Sequence, residues 1–196
     1  MHSSSNLRKH TSGNPLQRAL IARFHRAVAQ LAAQTGARRA LDAGCGEGFG
    51  LQAALVPSFP AALGLDLSVE SLQFARRLNP ASPFVAGSLT ALPFPDGAFD
   101  LVACLEVLEH LERPEQGLEE LCRVSARWLL LSVPNEPLFR GANFLRGKNM
   151  RQLGNDPGHL NHWSARSFER FVARRCHVVA RRQPFPWTLV LCQTAS

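Results

Sequence analysis

Three glycines at alternate positions follow an acid in Leu41-Asp42-Ala43-Gly44-Cys45-Gly46-Glu47-Gly48, and a second acid, Asp66, closes the next apolar run. A glycine-rich turn after a strand lets the backbone approach a ligand closely. A carboxylate at the end of the following strand can accept hydrogen bonds from both hydroxyls of a ribose. Together they read as a nucleoside-binding crevice in a doubly wound α/β sheet. The dinucleotide fingerprint Gly-x-Gly-x-x-Gly fails in both registers, because its third glycine would fall on Phe49 or Leu51. Asp66 is not needed as a helix cap, since Ser68 supplies one.

A second group is Cys104-Leu105-Glu106-Val107-Leu108-Glu109-His110. On a helix this spacing would gather Glu106, Glu109 and His110 on one face, as a divalent-metal half-site or an acid–base group. His159 and His162 follow Gly154-Asn-Asp-Pro-Gly158 and precede a capped helix. An imidazole there is a base near neutral pH for a hydroxyl acceptor, or a hydrogen-bonding anchor for its loop. Asn135, ending an apolar strand, is a further pocket residue.

The elements that must position these groups alternate along the chain. Leu16, Leu20, Phe24, Val28 and Leu31 recur at helical spacing after Asn14-Pro15, and Gly36 stops the helix. Strands are predicted over 39–43, 62–67, 84–86, 99–105 and 128–133. Helices are predicted over 48–55, 68–78, 114–124 and 164–175. A closing hairpin, 177–181 with 188–192, turns around Pro184-Phe-Pro-Trp187. The expected fold is α/β, a doubly wound, mostly parallel seven-stranded sheet with one antiparallel strand. One domain is expected over 1–196, with a basic helical cap (1–36), a cofactor-binding core (37–133) and a substrate-side insertion (138–163).

Charge is placed unevenly. Residues 1–41 carry seven Lys/Arg and no acid, 42–139 carry five basic and thirteen acidic residues, and 140–196 carry ten basic and two acidic. Such flanks suit nucleic acid, an anionic lipid surface or a phosphorylated substrate, and equally a solvated arginine-rich surface. Five cysteines without a Cys-x-x-Cys pair indicate neither a disulfide framework nor a zinc site, so a reducing cytoplasm is expected. No apolar run approaches the ~20 residues of a membrane span, and the first ten residues lack a secretion signal's apolar region.

The Asp-x-Gly-x-Gly-x-Gly loop resembles motif I of class I S-adenosylmethionine-dependent methyltransferases, and Leu92-Pro-Phe-Pro-Asp-Gly-Ala-Phe-Asp100 resembles the link before strand four of that superfamily. The resemblance implies a Rossmann-like methyltransferase fold with S-adenosylmethionine held by Asp42, Gly44, Cys45, Gly46, Gly48, Asp66 and Leu67. Ser88 stands where many members carry an acid for the adenine amino group, which shifts that contact toward the Ser88–Leu89 backbone. Cys-x-Glu-x-x-Glu-His is similar to the ubiquinone-pathway O-methyltransferases. That likeness implies a cofactor contact at Leu105 and, in some members, metal ligands at Glu106, Glu109 and His110. Asn14-Pro15-Leu16 with Arg18 is similar to the same family's Asn-Pro-Leu-Arg, one residue out of register, and implies that Arg18 pairs with the cofactor carboxylate.

The His159-Leu-Asn-His162 segment gives a thinner resemblance to small-RNA 3′-end 2′-O-methyltransferases. The expected activity is O-methylation of a small or lipid-linked metabolite, with His110, His162 and Glu106 as catalytic candidates. A divalent metal is compatible with the motif but not favoured. The alternatives are ribose 2′-O-methylation of RNA and a catalytically silent cofactor-binding regulator. Oligomeric state is not legible.

Overall fold

Asn14 opens the first helix by accepting hydrogen bonds at Oδ1 from the Leu16 and Gln17 amides, with Pro15 at the first helical position. The computed structural model describes residues 13–136, 138–139, 141 and 158–194. Helix α1 (Pro15–Ala33) buries Ile21, Phe24, Val28, Leu31 and Ala32; of the predicted stripe Phe24, Val28 and Leu31 are buried, Leu20 is half-buried and Leu16 is exposed. Residues 1–12 of the expected cap, and residues 140 and 142–157 of the expected insertion, lie outside the described residues.

Seven strands follow: β1 (Ala40–Ala43), β2 (Leu63–Asp66), β3 (Phe84–Ala86), β4 (Phe99–Leu105), β5 (Ser125–Pro134), β6 (Cys176–Arg182) and β7 (Trp187–Thr194). They form one sheet in the order β3-β2-β1-β4-β5-β7-β6. All pairings among β1 to β5 are parallel, and β7 inserts antiparallel between β5 and β6. β7 is therefore the one antiparallel strand the sequence pattern called for. The order reverses between β1 and β4, which opens a crevice at their carboxyl ends.

Alternation along the strands divides the core into two layers. Leu101 and Ala103 of β4 face α1 with Leu130, Leu189 and Leu191. Val102 and Cys104 face the opposite side with Leu129, Leu131 and Val190. That second layer is covered by α3 (Pro114–Val124), through Leu118, Leu121 and Val124, and by α4 (Ala165–Val172), through Phe168 and Phe171. Helix α2 (Val69–Leu78) is capped by Ser68, as expected. Helix α4 has its capping box at Ser164 and Ser167 but ends at Val172, short of the predicted Arg175.

Two local expectations are corrected. The helix expected over 48–55 is wound as a π-helical turn at Leu51–Leu55, closed by the Val56 amide donating to the Leu51 carbonyl at 2.9 Å. Leu51, Ala54 and Leu55 are thereby all buried. The Glu106–His110 segment is not one helical turn. Glu106 has φ 61°, and only Leu108–His110 is helical, as a single 3-10 turn. The left-handed residue swings the chain between Glu106 and Glu109, so the two carboxylates leave the common face that the spacing implied.

Candidate active site

The donor side is built by hanging the glycine loop on β2. The Gly44 and Cys45 amides donate to the Leu65 carbonyl at 2.7 and 2.9 Å, and the Gly48 amide donates to Cys45. Gly44 and Gly48 both need positive φ (84° and 79°), and neither has room for a Cβ. A Cβ on Gly44 would lie 2.5 Å from Val107 Cγ2, and one on Gly48 would lie 2.7 Å from Asn79 Nδ2. The buried Asn79 amide donates to the Gly48 carbonyl at 3.1 Å and so locks the loop to the end of α2. Cys45 is buried with its sulfur against Gly64.

Asp66 ends β2 half-buried, with Oδ2 accepting from the Gly46 amide and Oδ1 from the Ser68 amide, each at 2.8 Å. Both oxygens are held in place and each keeps lone-pair capacity for a further donor. Leu67, immediately after, is 76% exposed. An uncovered leucine beside an anchored acid suits a flat apolar base lying next to a ribose. Asp42 is fully buried nearby. Burial first, and the Asp66 charge second, push its carboxyl up to about 7. The anchored Asp66 carboxylate is thus the acid that the crevice presents, with Asp42 and Glu47 buried in the loop behind it.

The remaining donor-side residues occupy different positions. Arg18, Ile21 and His25 of α1 face Phe49, Gln52 and Ala53 across a cleft of about 230 Å³, which places Arg18 beside the helix that follows the glycine loop. The Leu105 side chain approaches Gly50 from beneath that helix. Leu89 is buried against Gly117 of α3, so it offers the crevice its backbone and not its side chain. Ser88 spends its hydroxyl locally, on the Thr90 hydroxyl at 2.9 Å and the Thr90 amide at 3.2 Å.

A second group of polar side chains gathers after the ends of β4 and β5. Glu109 and His110 ride the 3-10 turn directly after Val107, the residue seated on Gly44. The loop 158–163 is laced onto this turn. The Leu160 and Asn161 amides donate to the Glu109 carbonyl, and Asn161 Nδ2 donates to the Leu111 carbonyl at 2.6 Å. His110 Nδ1 lies 2.7 Å from the Gly158 carbonyl. A carbonyl only accepts, so Nδ1 carries the proton and Nε2 is left as the basic nitrogen. His159 Nδ1 lies 2.7 Å from Glu136 Oε1, and His162 Nδ1 lies 3.4 Å from the same oxygen.

Glu136 is the residue the sequence reading missed. Burial pushes its carboxyl up, but the hydrogen bond and charge of His159, followed by those of His162, outweigh it and hold the group below its ordinary value. His159 is buried like Glu136, whereas the His162 side chain is 39% exposed. Glu106 stands apart, with Oε1 accepting from the Ser132 hydroxyl at 2.9 Å. Asn135 joins the hairpin turn through its amide, which donates to Pro186 at 2.9 Å.

One donor atom each from Glu109, His110 and His159 lies within 4.8 Å of the others. One carboxylate and two imidazoles are a donor set that suits a divalent ion, and each imidazole is oriented by a second partner, His110 by the Gly158 carbonyl and His159 by Glu136. His159 thus takes the place the motif had given to Glu106. Bound there, an ion would polarise an acceptor oxygen. No helix among the described residues is long and apolar enough to cross a membrane.

Residues 41–127 match the methyltransferase domain family model. A probable S-adenosylmethionine-dependent methyltransferase of Mycolicibacterium smegmatis is 36% identical over 120 residues, 60% of this chain and 46% of that protein. The ubiquinone biosynthesis O-methyltransferase of Bordetella avium is 34% identical over 117 residues, 55% of this chain and 47% of that protein. The chain thus spans about half the length of the curated relatives it matches. Among solved structures, an N-methyltransferase of Bradyrhizobium japonicum in complex with S-adenosyl-l-homocysteine superposes with TM-score 0.73, at 16% identity over 99% of this chain and 94% of that one. The sheet order, and the loop hung on β2 with its anchored Asp66, give the chain the Rossmann-like methyltransferase fold of these neighbours, with residues 41–127 matching the methyltransferase domain.

Proposed function

We propose that the chain methylates a hydroxyl oxygen of a small or lipid-linked acceptor, with His162 taking the hydroxyl proton. The observation that carries this reading is the seating of Val107 on Gly44, because it joins the donor loop to the turn bearing Glu109 and His110. S-adenosylmethionine supplies an electrophilic methyl group. The chain's own residues orient the partners, exclude water and accept the proton. Alignment of nucleophile and methyl supplies most of the rate, and a base is required because a neutral hydroxyl is a weak nucleophile.

His162 suits the base because it is the more exposed of the two imidazoles on Glu136. A carboxylate beside Nδ1 orients the ring and stabilises the imidazolium once the proton has moved. His110, exposed and held through Nδ1 on the Gly158 carbonyl, is the second imidazole of the site. An apolar rim surrounds the group. Leu138 is 45% exposed, Leu160 is 57% exposed, and the Phe139 ring lies 5.4 Å from that of His159. Such a rim favours an acceptor with a hydrocarbon portion, as does the likeness to the ubiquinone-pathway relative.

The test is transfer of labelled methyl from the cofactor to lysate fractions of small metabolites, lipid extract and RNA. Label in an ether linkage of the organic-soluble fraction is the expected result. Label in RNA would move the reading to the exposed arginines of α1 (18, 23 and 26), with binding that weakens steeply with salt. Cofactor binding without transfer to any fraction would make the chain a silent regulator.

A further inference from the structure

Five cysteines are distributed over the chain, and two of them meet. Cys122 on α3 and Cys176 at the start of β6 place their sulfurs 3.0 Å apart, across 54 residues of sequence. A disulfide bond is about 2.05 Å long, so closure requires a movement of roughly 1 Å. The backbones are already held together by a second contact between the same two elements. Arg175, adjacent to Cys176, pairs with Glu119, one helical turn before Cys122. Cys122 is half-buried and Cys176 is buried, which gives the pair one sulfur open to a reagent and one to resolve.

We propose that Cys122 and Cys176 are a reversible oxidation site, closed by exchange with a low-molecular-weight disulfide. The Cys122 sulfur attacks the reagent disulfide, and one half leaves as a thiolate. The Cys176 sulfur then displaces the second half from Cys122, forming the protein disulfide. The two cysteine protons end on the two departing thiolates, so the pair loses two electrons and the reagent gains them. The closed ring contains β5, Glu136, the loop 158–163 and α4, so oxidation fastens the acceptor-side segment to α3 and leaves the glycine loop outside.

The hydrogen bond shared with Cys176, followed by burial, pushes the Cys122 thiol up. Exchange therefore accelerates as pH rises. Cys192 on β7 is the competing thiol, pushed up to about 12 by burial and then by the Cys122 charge.

The experiment incubates the full chain with oxidised glutathione at mildly alkaline pH, blocks free thiols with N-ethylmaleimide and maps the peptides by mass. The expected product joins Cys122 to Cys176, lacks two hydrogens and leaves the other three thiols blocked. Its Tm is expected to rise by several degrees and to return on reduction, because the closed loop is long. Cys192→Ser should still close, and Cys122→Ser should not. Five blocked thiols, glutathione retained on Cys122, or a bond to Cys192 would each overturn the proposal. None of these readouts involves methyl transfer, so the result is separate from the reading of the active site.

Discussion

Glu136 Oε1 stands 2.7 Å from His159 Nδ1, with both side chains about 5% exposed, and the same oxygen reaches His162 at 3.4 Å. One buried carboxylate just after β5 therefore orients two imidazoles. Glu136→Gln keeps the shape and removes the charge. It should lower kcat about 10²-fold while leaving cofactor affinity unchanged. His162→Ala should cost a similar factor, and the double variant little more, since both act in one step. Unchanged turnover in Glu136→Gln would remove the base from this cluster.

Chelation separates the base from an ion. Turnover is expected to survive EDTA, because the proposed proton acceptor is an imidazole oriented by Glu136 and needs no ion. Loss of turnover, restored by adding back a divalent metal, would instead assign Glu109, His110 and His159 as ligands.

Asp66 anchors the donor site through the amides of Gly46 and Ser68. Asp66→Ala loses those contacts along with any bond to the ribose. Hydrogen bonds to charged groups contribute about 1.5–3 kcal/mol each, so calorimetry with S-adenosylmethionine should show affinity falling by roughly 10²-fold or more. Equal affinity would mean that the ribose lies elsewhere.

Gly44→Ala meets two obstacles, a left-handed φ and the Val107 side chain. Destabilisation of about 2–3 kcal/mol is expected in urea unfolding. Adding Val107→Ala opens space but leaves the φ strained. The double variant should therefore regain part of the loss and no more, and simple additivity would show that the two residues do not touch.

How much of this was legible depends on sequence distance. The glycine loop and Asp66 were readable because strand, turn, helix and strand form one local unit within about 25 residues. The sheet and its single antiparallel strand followed from the same alternation. The Glu106–Glu109–His110 grouping failed because spacing alone assumes a helix. One left-handed residue at Glu106 ends β4 and reassigns its carboxylate to Ser132. Glu136 was invisible because its partners lie 23 or more residues away, across a loop without periodicity. The available signal was weak: it is the sole acid between Glu120 and Asp156, flanked by prolines directly after an apolar strand.

Asp42 supplies the pH dependence. Its carboxyl is at about 7 in the folded chain against an ordinary 3.8, raised by burial and then by Asp66. The folded state holds this proton more tightly than the unfolded one. The resulting stability is fully present below about pH 4 and is lost progressively as pH rises to about 7. Asp42→Asn cannot ionise and escapes that loss. Its Tm relative to wild type should therefore climb between pH 4 and 8, by an amount worth a few kcal/mol at about 1.4 kcal/mol per pH unit. Asp66→Asn removes the second cause and should flatten the wild-type slope without abolishing it. Parallel melting curves for wild type and Asp42→Asn across this range would show that Asp42 is already ionised in the folded loop.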